Sequence, residues 1–163
     1  MDKQTKSGMP VDESKYSFTI PRTDEPREKI LKLGAMITDR IGKVTGNDPE
    51  YWGLAGVVTD EMADVALKMK VRKPKTTAQI AALTGKSEEE LEKLLTEMAY
   101  IGLVEYNWEN LDGKNPAHEK RYILPLFVPG SAEFLNMRRS QINEHPEVAA
   151  FFERMTMLPL EKI

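Results

Sequence analysis

A chain of 163 residues, 40% hydrophobic and 30% charged, is long enough to bury one core and lacks the composition of a disordered segment. Its 26 acidic and 23 basic side chains leave a net charge of −3, which gives no overall electrostatic pull toward nucleic acid or an anionic membrane. The absence of cysteine excludes disulfides, thiolate catalysis and cluster or zinc ligation by sulfur within this chain.

Residues 1–23 read as a polar, flexible N-terminal arm, in which Tyr16, Phe18 and Ile20 alternate as a short strand would if it docked elsewhere. No apolar run is long enough to span a bilayer, and the opening residues lack the hydrophobic region of a signal peptide, so a cytoplasmic protein without membrane contact is expected.

A winged-helix domain is expected over residues 24–130. Pro26 suits a first helical turn, and Ile30, Leu33, Ile37 and Ile41 recur at helical spacing until Gly42. Asp48 and Pro49 then open a short apolar segment, Tyr51 to Val58, whose conformation the pattern leaves undecided. Thr59 or Asp60 caps a further helix with Met62, Val65, Ala66 and Met69 on one stripe, ending near Val71 and stopped by Pro74.

Two capping-box patterns follow in close succession, Thr76 with Gln79 and Ser87 with Glu90, separated by Gly85. Leu91, Leu94, Leu95 and Met98 continue the second at helical spacing, so the pair reads as helix-turn-helix. Val104, Tyr106 and Trp108 alternate with polar residues, Asp112-Gly113 marks a turn, and Arg121 to Phe127 forms a second apolar run. An antiparallel hairpin is expected there, with Tyr106, Trp108 and Tyr122 packed into the core rather than forming a stacking platform. Residues 131–163 read as a C-terminal helical extension leading toward a further region, with Ala132, Leu135 and Met137 in one short piece and Val148, Phe151, Phe152 and Met155 on a last helix. The expected fold class is thus mainly α with a small β-hairpin, a winged helix-turn-helix with extra N- and C-terminal helices.

Such a fold raises the question of DNA, because the second helix of the motif can enter the major groove. Here that helix carries Glu88, Glu89, Glu90, Glu92 and Glu97 against Lys93 alone. Beside phosphates each exposed carboxylate costs on the order of 1 kcal/mol at surface dielectric, where base readout needs Arg, Lys, Asn or Gln. Glutamates in a first turn also complement the helix dipole and solvate a face, and both accounts argue against duplex binding. Glu88, Glu89, Glu92 and Lys93 are accordingly a candidate partner-docking face. The opposing signal is a run of cations, Lys68, Lys70, Arg72, Lys73 and Lys75, with no acid among them. It is a candidate contact for phosphate, RNA or an acidic protein, unless it serves only the negative end of a helix dipole.

Catalytic patterns are missing. His118 and His145 have no second ligand at metal spacing, no glycine pattern matches a phosphate-binding loop, and acidic pairs such as Asp60 and Glu61 are expected by chance at this composition. No catalytic, metal or cofactor-binding residue is assigned.

Several blocks carry a likeness: Tyr51-Trp52, Val58-Thr59-Asp60-Glu61-Met62-Ala63, Val104 to Glu109, Leu124 to Gly130, and Glu144-His145-Pro146-Glu147. Together they resemble the N-terminal winged-helix region of large flavin and iron–sulfur oxidoreductases of anaerobic microbes, of the pyridine nucleotide-disulfide or ferredoxin-fused kind. The resemblance implies that FAD and iron–sulfur clusters would belong to a downstream region, with no functional residue carried into this chain. It also implies a non-catalytic interaction module whose partner is the oxidoreductase body, a redox partner or a second copy of the chain. A winged-helix transcriptional regulator, using the Lys68 to Lys75 cations on the DNA backbone, stands as the alternative.

Overall fold

The computed structural model describes residue 14 and residues 16–21, 23–38, 44–127 and 130–150. Over these the chain is mainly helical, with seven α-helices and a small three-stranded antiparallel sheet. No described helix is long and apolar enough to cross a membrane. The parts of the arm before Ser14, the expected helical position of Ile41, and the last apolar face at Phe151, Phe152 and Met155 lie outside the described residues.

Helix α1 (Glu28–Ile37) buries Ile30, Leu33 and Ile37, as the spacing required. It starts after Pro26, with Arg27 at the N-cap. Arg27 fixes that start: its backbone N–H donates to the Tyr51 hydroxyl, and its guanidinium donates to Asp60 and to the carbonyls of Ala55 and Val58. The undecided segment folds as α2 (Pro49–Val57). Six consecutive residues from Pro49 to Leu54 are buried, which explains why no single-face periodicity marks it. The Asp48 carboxylate makes no helix cap; it accepts from the Thr45 backbone N–H and hydroxyl and holds the preceding turn. Tyr16 and Ile20 are buried in the core, with Tyr16 edge-on to Trp52, so this part of the expected arm is docked, though not as a strand.

Helix α3 (Asp60–Met69) is capped by the Thr59 hydroxyl, which accepts from the Met62 N–H. It ends before Val71 and well short of Pro74, because Lys70 turns to a positive φ of 63°. Strand β1 (Lys75–Thr76) follows, then α4 (Thr77–Thr84) and α5 (Glu88–Ile101), both with complete capping boxes, separated by Gly85 in the left-handed region. Strands β2 (Glu105–Asn107) and β3 (Arg121–Ile123) pair antiparallel as the hairpin pattern predicts. The sheet order is β1-β3-β2, with β3 central.

Three short elements close the described chain: α6 (Ser131–Leu135), α7 (Arg139–Glu144) and a 3-10 turn over Pro146–Ala149. Met137 falls outside α6 and is exposed, against the sequence expectation. The buried Gln141 amide on α7 donates to the carbonyls of Ile101 and Leu135, tying this tail to the end of α5.

Candidate functional site

The glutamate-rich helix and the hairpin beside it form one continuous surface. On α5 the side chains of Leu91, Leu94, Leu95 and Met98 are buried against the core. Helical geometry then sends Glu88, Glu89, Lys93, Thr96, Glu97 and Tyr100 outward, and all six are exposed. Glu90 is spent on the capping box, where its carboxylate accepts from the Ser87 backbone N–H while the Ser87 hydroxyl caps the Glu90 N–H.

Glu92 borders that open face, its side chain 45% exposed and its carboxylate committed to neighbouring elements. Its carboxylate accepts from the Thr77 hydroxyl at 2.7 Å, the Tyr122 hydroxyl at 2.8 Å and the Lys120 ammonium at 3.1 Å. Burial alone would raise its pKa, but these three donors outweigh that and hold it below the usual carboxylate range. The same pairing gives Lys120 a raised pKa against its own desolvation. A candidate docking residue is thus a structural joint between α4, α5 and β3, and it neutralises the hairpin cation nearest the helix.

Register explains the aromatic arrangement. Tyr106 and Tyr122 are direct cross-strand partners, so both side chains lie on the face of the sheet turned toward α5. Tyr122 is fully buried there, whereas Tyr106 and Trp108 are 46% and 51% exposed. The expected core packing therefore holds for Tyr122 alone, because α5 covers β3 but not the outer edge of β2. Tyr106 meets Trp108 edge-on, with ring centroids 5.7 Å apart, and the Lys120 ammonium sits 4.4 Å from the Tyr106 ring centroid. Beyond Tyr106 a groove of about 460 Å³ runs between α5, β2 and α6, lined by Tyr100, Phe134, Met137 and Arg138, with the Arg138 guanidinium over the Tyr100 ring. Trp108, Tyr106, Tyr100 and Met137 make an exposed band of large apolar side chains beside the acidic helix.

The cations of residues 68–75 separate in space. Lys68 is in the last turn of α3 and Lys70 at its C-cap, both exposed. Lys75 folds back so that its ammonium donates to the carbonyl of Met69 at 2.6 Å; partial burial, with help from Lys73, lowers its pKa. Arg72 and Lys73 instead border a cleft of about 640 Å³ on the sheet face turned away from α5, facing Asn107, Lys114 and Arg121.

The hairpin loop closes the far side of that cleft. Asn115 is buried and pins the loop by donating to the carbonyls of Glu109 and Glu119 and accepting from the Glu119 N–H. Arg121, 6% exposed, holds Asp112 with two N–H groups and the Glu109 carbonyl with another contact. This pairing keeps the Asp112 carboxyl below its usual pKa range. No local pattern announces this fold-back, since Asn115 looks like an ordinary polar loop residue and Arg121 like the polar first residue of an apolar strand.

Both histidines serve the backbone or a neighbour. His118 is exposed with Nδ1 at 3.1 Å from the Trp108 carbonyl, and His145 lies 3.3 Å from Glu147 before the 3-10 turn. Among the described residues no group of three or more histidine, aspartate or glutamate side chains could hold a metal ion.

Compared with family models, with curated proteins and with solved structures, the chain finds no match. The resemblance to oxidoreductase N-terminal regions rests on the sequence blocks alone.

Proposed function

We propose that this chain is a winged helix-turn-helix that binds a protein, not duplex DNA, through α5 and the exposed edge of its hairpin. The winged-helix reading is supported by the order α3-β1-α4-α5-β2-β3, by the Gly85 turn between α4 and α5, and by a sheet in which β3 pairs with both β1 and β2. In this reading α5 is the helix that a DNA-binding relative would insert and residues 108–120 are the wing.

The observation that carries the protein-binding reading is the sign of charge on α5. Glu88, Glu89 and Glu97 stand outward on α5 with Lys93 as that helix's one cation, Lys120 of the wing is already neutralised by Glu92, and Arg138 is stacked on the Tyr100 ring. A phosphate backbone approaching this surface meets net repulsion. The band formed by Trp108, Tyr106, Tyr100 and Met137 has the composition of a protein interface centre, rich in aromatic side chains and Met. The fitting partner is a folded protein surface with an apolar centre and a basic rim. The body of a larger flavin or iron–sulfur oxidoreductase, as the sequence resemblance implies, is our proposal for it; no cofactor is assigned to this chain.

Photo-crosslinking from position 108 in the native host tests this. A discrete protein adduct that forms from 108 but not from Lys68, and that re-forms between the purified components, is the expected result. Crosslinks to DNA, together with sequence-dependent duplex binding in fluorescence anisotropy, would replace this reading with that of a transcriptional regulator.

A further inference from the structure

The cleft between residues 72–73 and the hairpin loop plays no part in the surface just described, because it opens on the opposite face of the sheet. Asn107, Arg121 and Ile123 line it, and they alternate with Tyr106 and Tyr122, which face α5. Its occupant is therefore independent of any protein bound at α5.

Cations reach this cleft from separate segments of chain. Arg72 and Lys73 come from the α3–β1 connection, Lys114 from the hairpin loop, and Arg121 from β3. Arg121 is committed to Asp112 and the Glu109 carbonyl, but its buried Nε–H has no acceptor. Arg72, Lys73 and Lys114 are exposed and enter no ion pair with a described residue. Setting aside the Arg121–Asp112 pair, three positive groups face the Glu109 carboxylate alone, so the cleft is cationic within a protein whose net charge is −3.

The backbone holds this arrangement at a cost. Arg72 has a φ of 57°, a conformation that L side chains avoid, and Lys70 two residues before it has a φ of 63°. Neither residue is glycine or asparagine, the types that adopt this region with least strain. The Arg72 N–H donates to the Leu124 carbonyl at 2.9 Å and Val71 bridges to Leu124, so the strained segment is fastened beside the sheet. Strain of this kind collects at ligand clamps.

We propose that this cleft binds the phosphate monoester of a nucleotide-sized ligand. Arg72 supplies a planar fork matched to phosphate oxygens, and Lys73 and Lys114 supply point charges from either side. A volume of about 640 Å³ is that of a small-molecule site, and Pro74, Leu111 and Ile123 offer apolar surface for the remainder of the ligand.

Nitrogen-15 NMR titrations of the whole chain with AMP, with inorganic phosphate, with a short single-stranded oligonucleotide, and with sodium chloride at matched ionic strength test this. AMP is expected to give saturable shifts at residues 72–73, 107 and 111–114, with phosphate weaker at the same positions. Arg72→Gln with Lys73→Gln, and separately Lys114→Gln, are expected to weaken AMP by about tenfold or more while Lys32→Gln on α1, away from the cleft, leaves it unchanged. Unchanged amide spectra away from the cleft establish that the variants are folded. Shifts reproduced by sodium chloride alone, or variants that titrate like the parent, would overturn the proposal. An oligonucleotide that binds more than about tenfold tighter than AMP, with a steep salt dependence, would overturn it in favour of a nucleic-acid backbone.

Discussion

The Tyr122 hydroxyl donates a 2.8 Å hydrogen bond to the Glu92 carboxylate, joining the central strand of the sheet to α5. Because Thr77 and Lys120 donate to the same carboxylate, removing it strands donors on two other elements. Glu92→Ala is expected to lower stability by about 1–2 kcal/mol in urea unfolding, with the value held down because the carboxylate is partly solvated. Glu92→Gln, which keeps an acceptor oxygen for Tyr122, should cost less than Glu92→Ala; equal losses would mean the hydrogen bonds contribute little.

The same carboxylate sets a pH dependence. Its pKa is depressed in the folded chain, so the unfolded state binds the proton more readily. The stabilisation is fully present above the unfolded value, about pH 4.3, and is lost as pH falls below that through the lower folded pKa. Unfolding free energies measured between pH 5 and about pH 3 should fall less steeply in Glu92→Gln than in the parent. Parallel curves would place the acid sensitivity elsewhere.

What could be read from the residues alone was whatever had a local cause. Both capping boxes, the Gly85 turn, the stripe of Leu91, Leu94, Leu95 and Met98, and the hairpin pairing all depend on neighbours a few positions away, and the structure contains each of them. Strand β1 was not legible, because two residues cannot show a period and Lys75 and Thr76 are strand only through their pairing with β3. Helix α2 hid its type by being buried on nearly every side. At the candidate surface, charge counting identified Glu88 and Glu89 correctly as outward. It did not show that the Glu92 carboxylate is tied to other elements, because its partners lie 15 to 30 positions away. The lysine run likewise looked like one patch, whereas Lys75 is spent on the end of α3 and only Arg72 and Lys73 border the cleft.

Asn115 is expected to control the hairpin loop locally. Its amide satisfies two carbonyls and one N–H across the base of the loop, so Asn115→Ala leaves the Glu119 N–H and carbonyl without that partner, while the Glu109 carbonyl keeps Arg121. Hydrogen exchange at residues 109–119 should accelerate strongly while α3 and α5 stay protected. Uniform acceleration through the whole chain would show instead that the loop opens only with global unfolding.

Two glycines with similar backbone angles should respond differently to alanine. Gly85 has a φ of 73° and open space where a Cβ would stand, so Gly85→Ala should cost about 1 kcal/mol for the left-handed conformation alone. Gly102 has a φ of 94°, and a Cβ there would lie 2.5 Å from the backbone of Phe134, at the junction of α5 and α6. Gly102→Ala therefore carries the backbone penalty and also pushes α6 away from the end of α5. Thermal unfolding should show the larger loss for Gly102, and the reverse order would contradict the packing of α6.

Trp108 offers the separation of stability from binding that the functional proposal needs. The residue is 51% exposed and touches Tyr106 edge-on, so about half of its surface is buried at the margin of the hairpin. Trp108→Ser should lower unfolding free energy by about 2–3 kcal/mol at most, the scale of half a buried indole at about 25 cal/mol per Å², and leave the chain folded. A residue near the centre of a protein interface costs about 2 kcal/mol or more on truncation, which is roughly a thirtyfold loss of affinity. The expected signature is a chain that still folds and unfolds cooperatively together with strongly weakened association with the crosslinked partner. If Trp108→Ser destabilises the fold severely, the ring belongs to the core; if both stability and association are unchanged, the band beside α5 is not the contact surface.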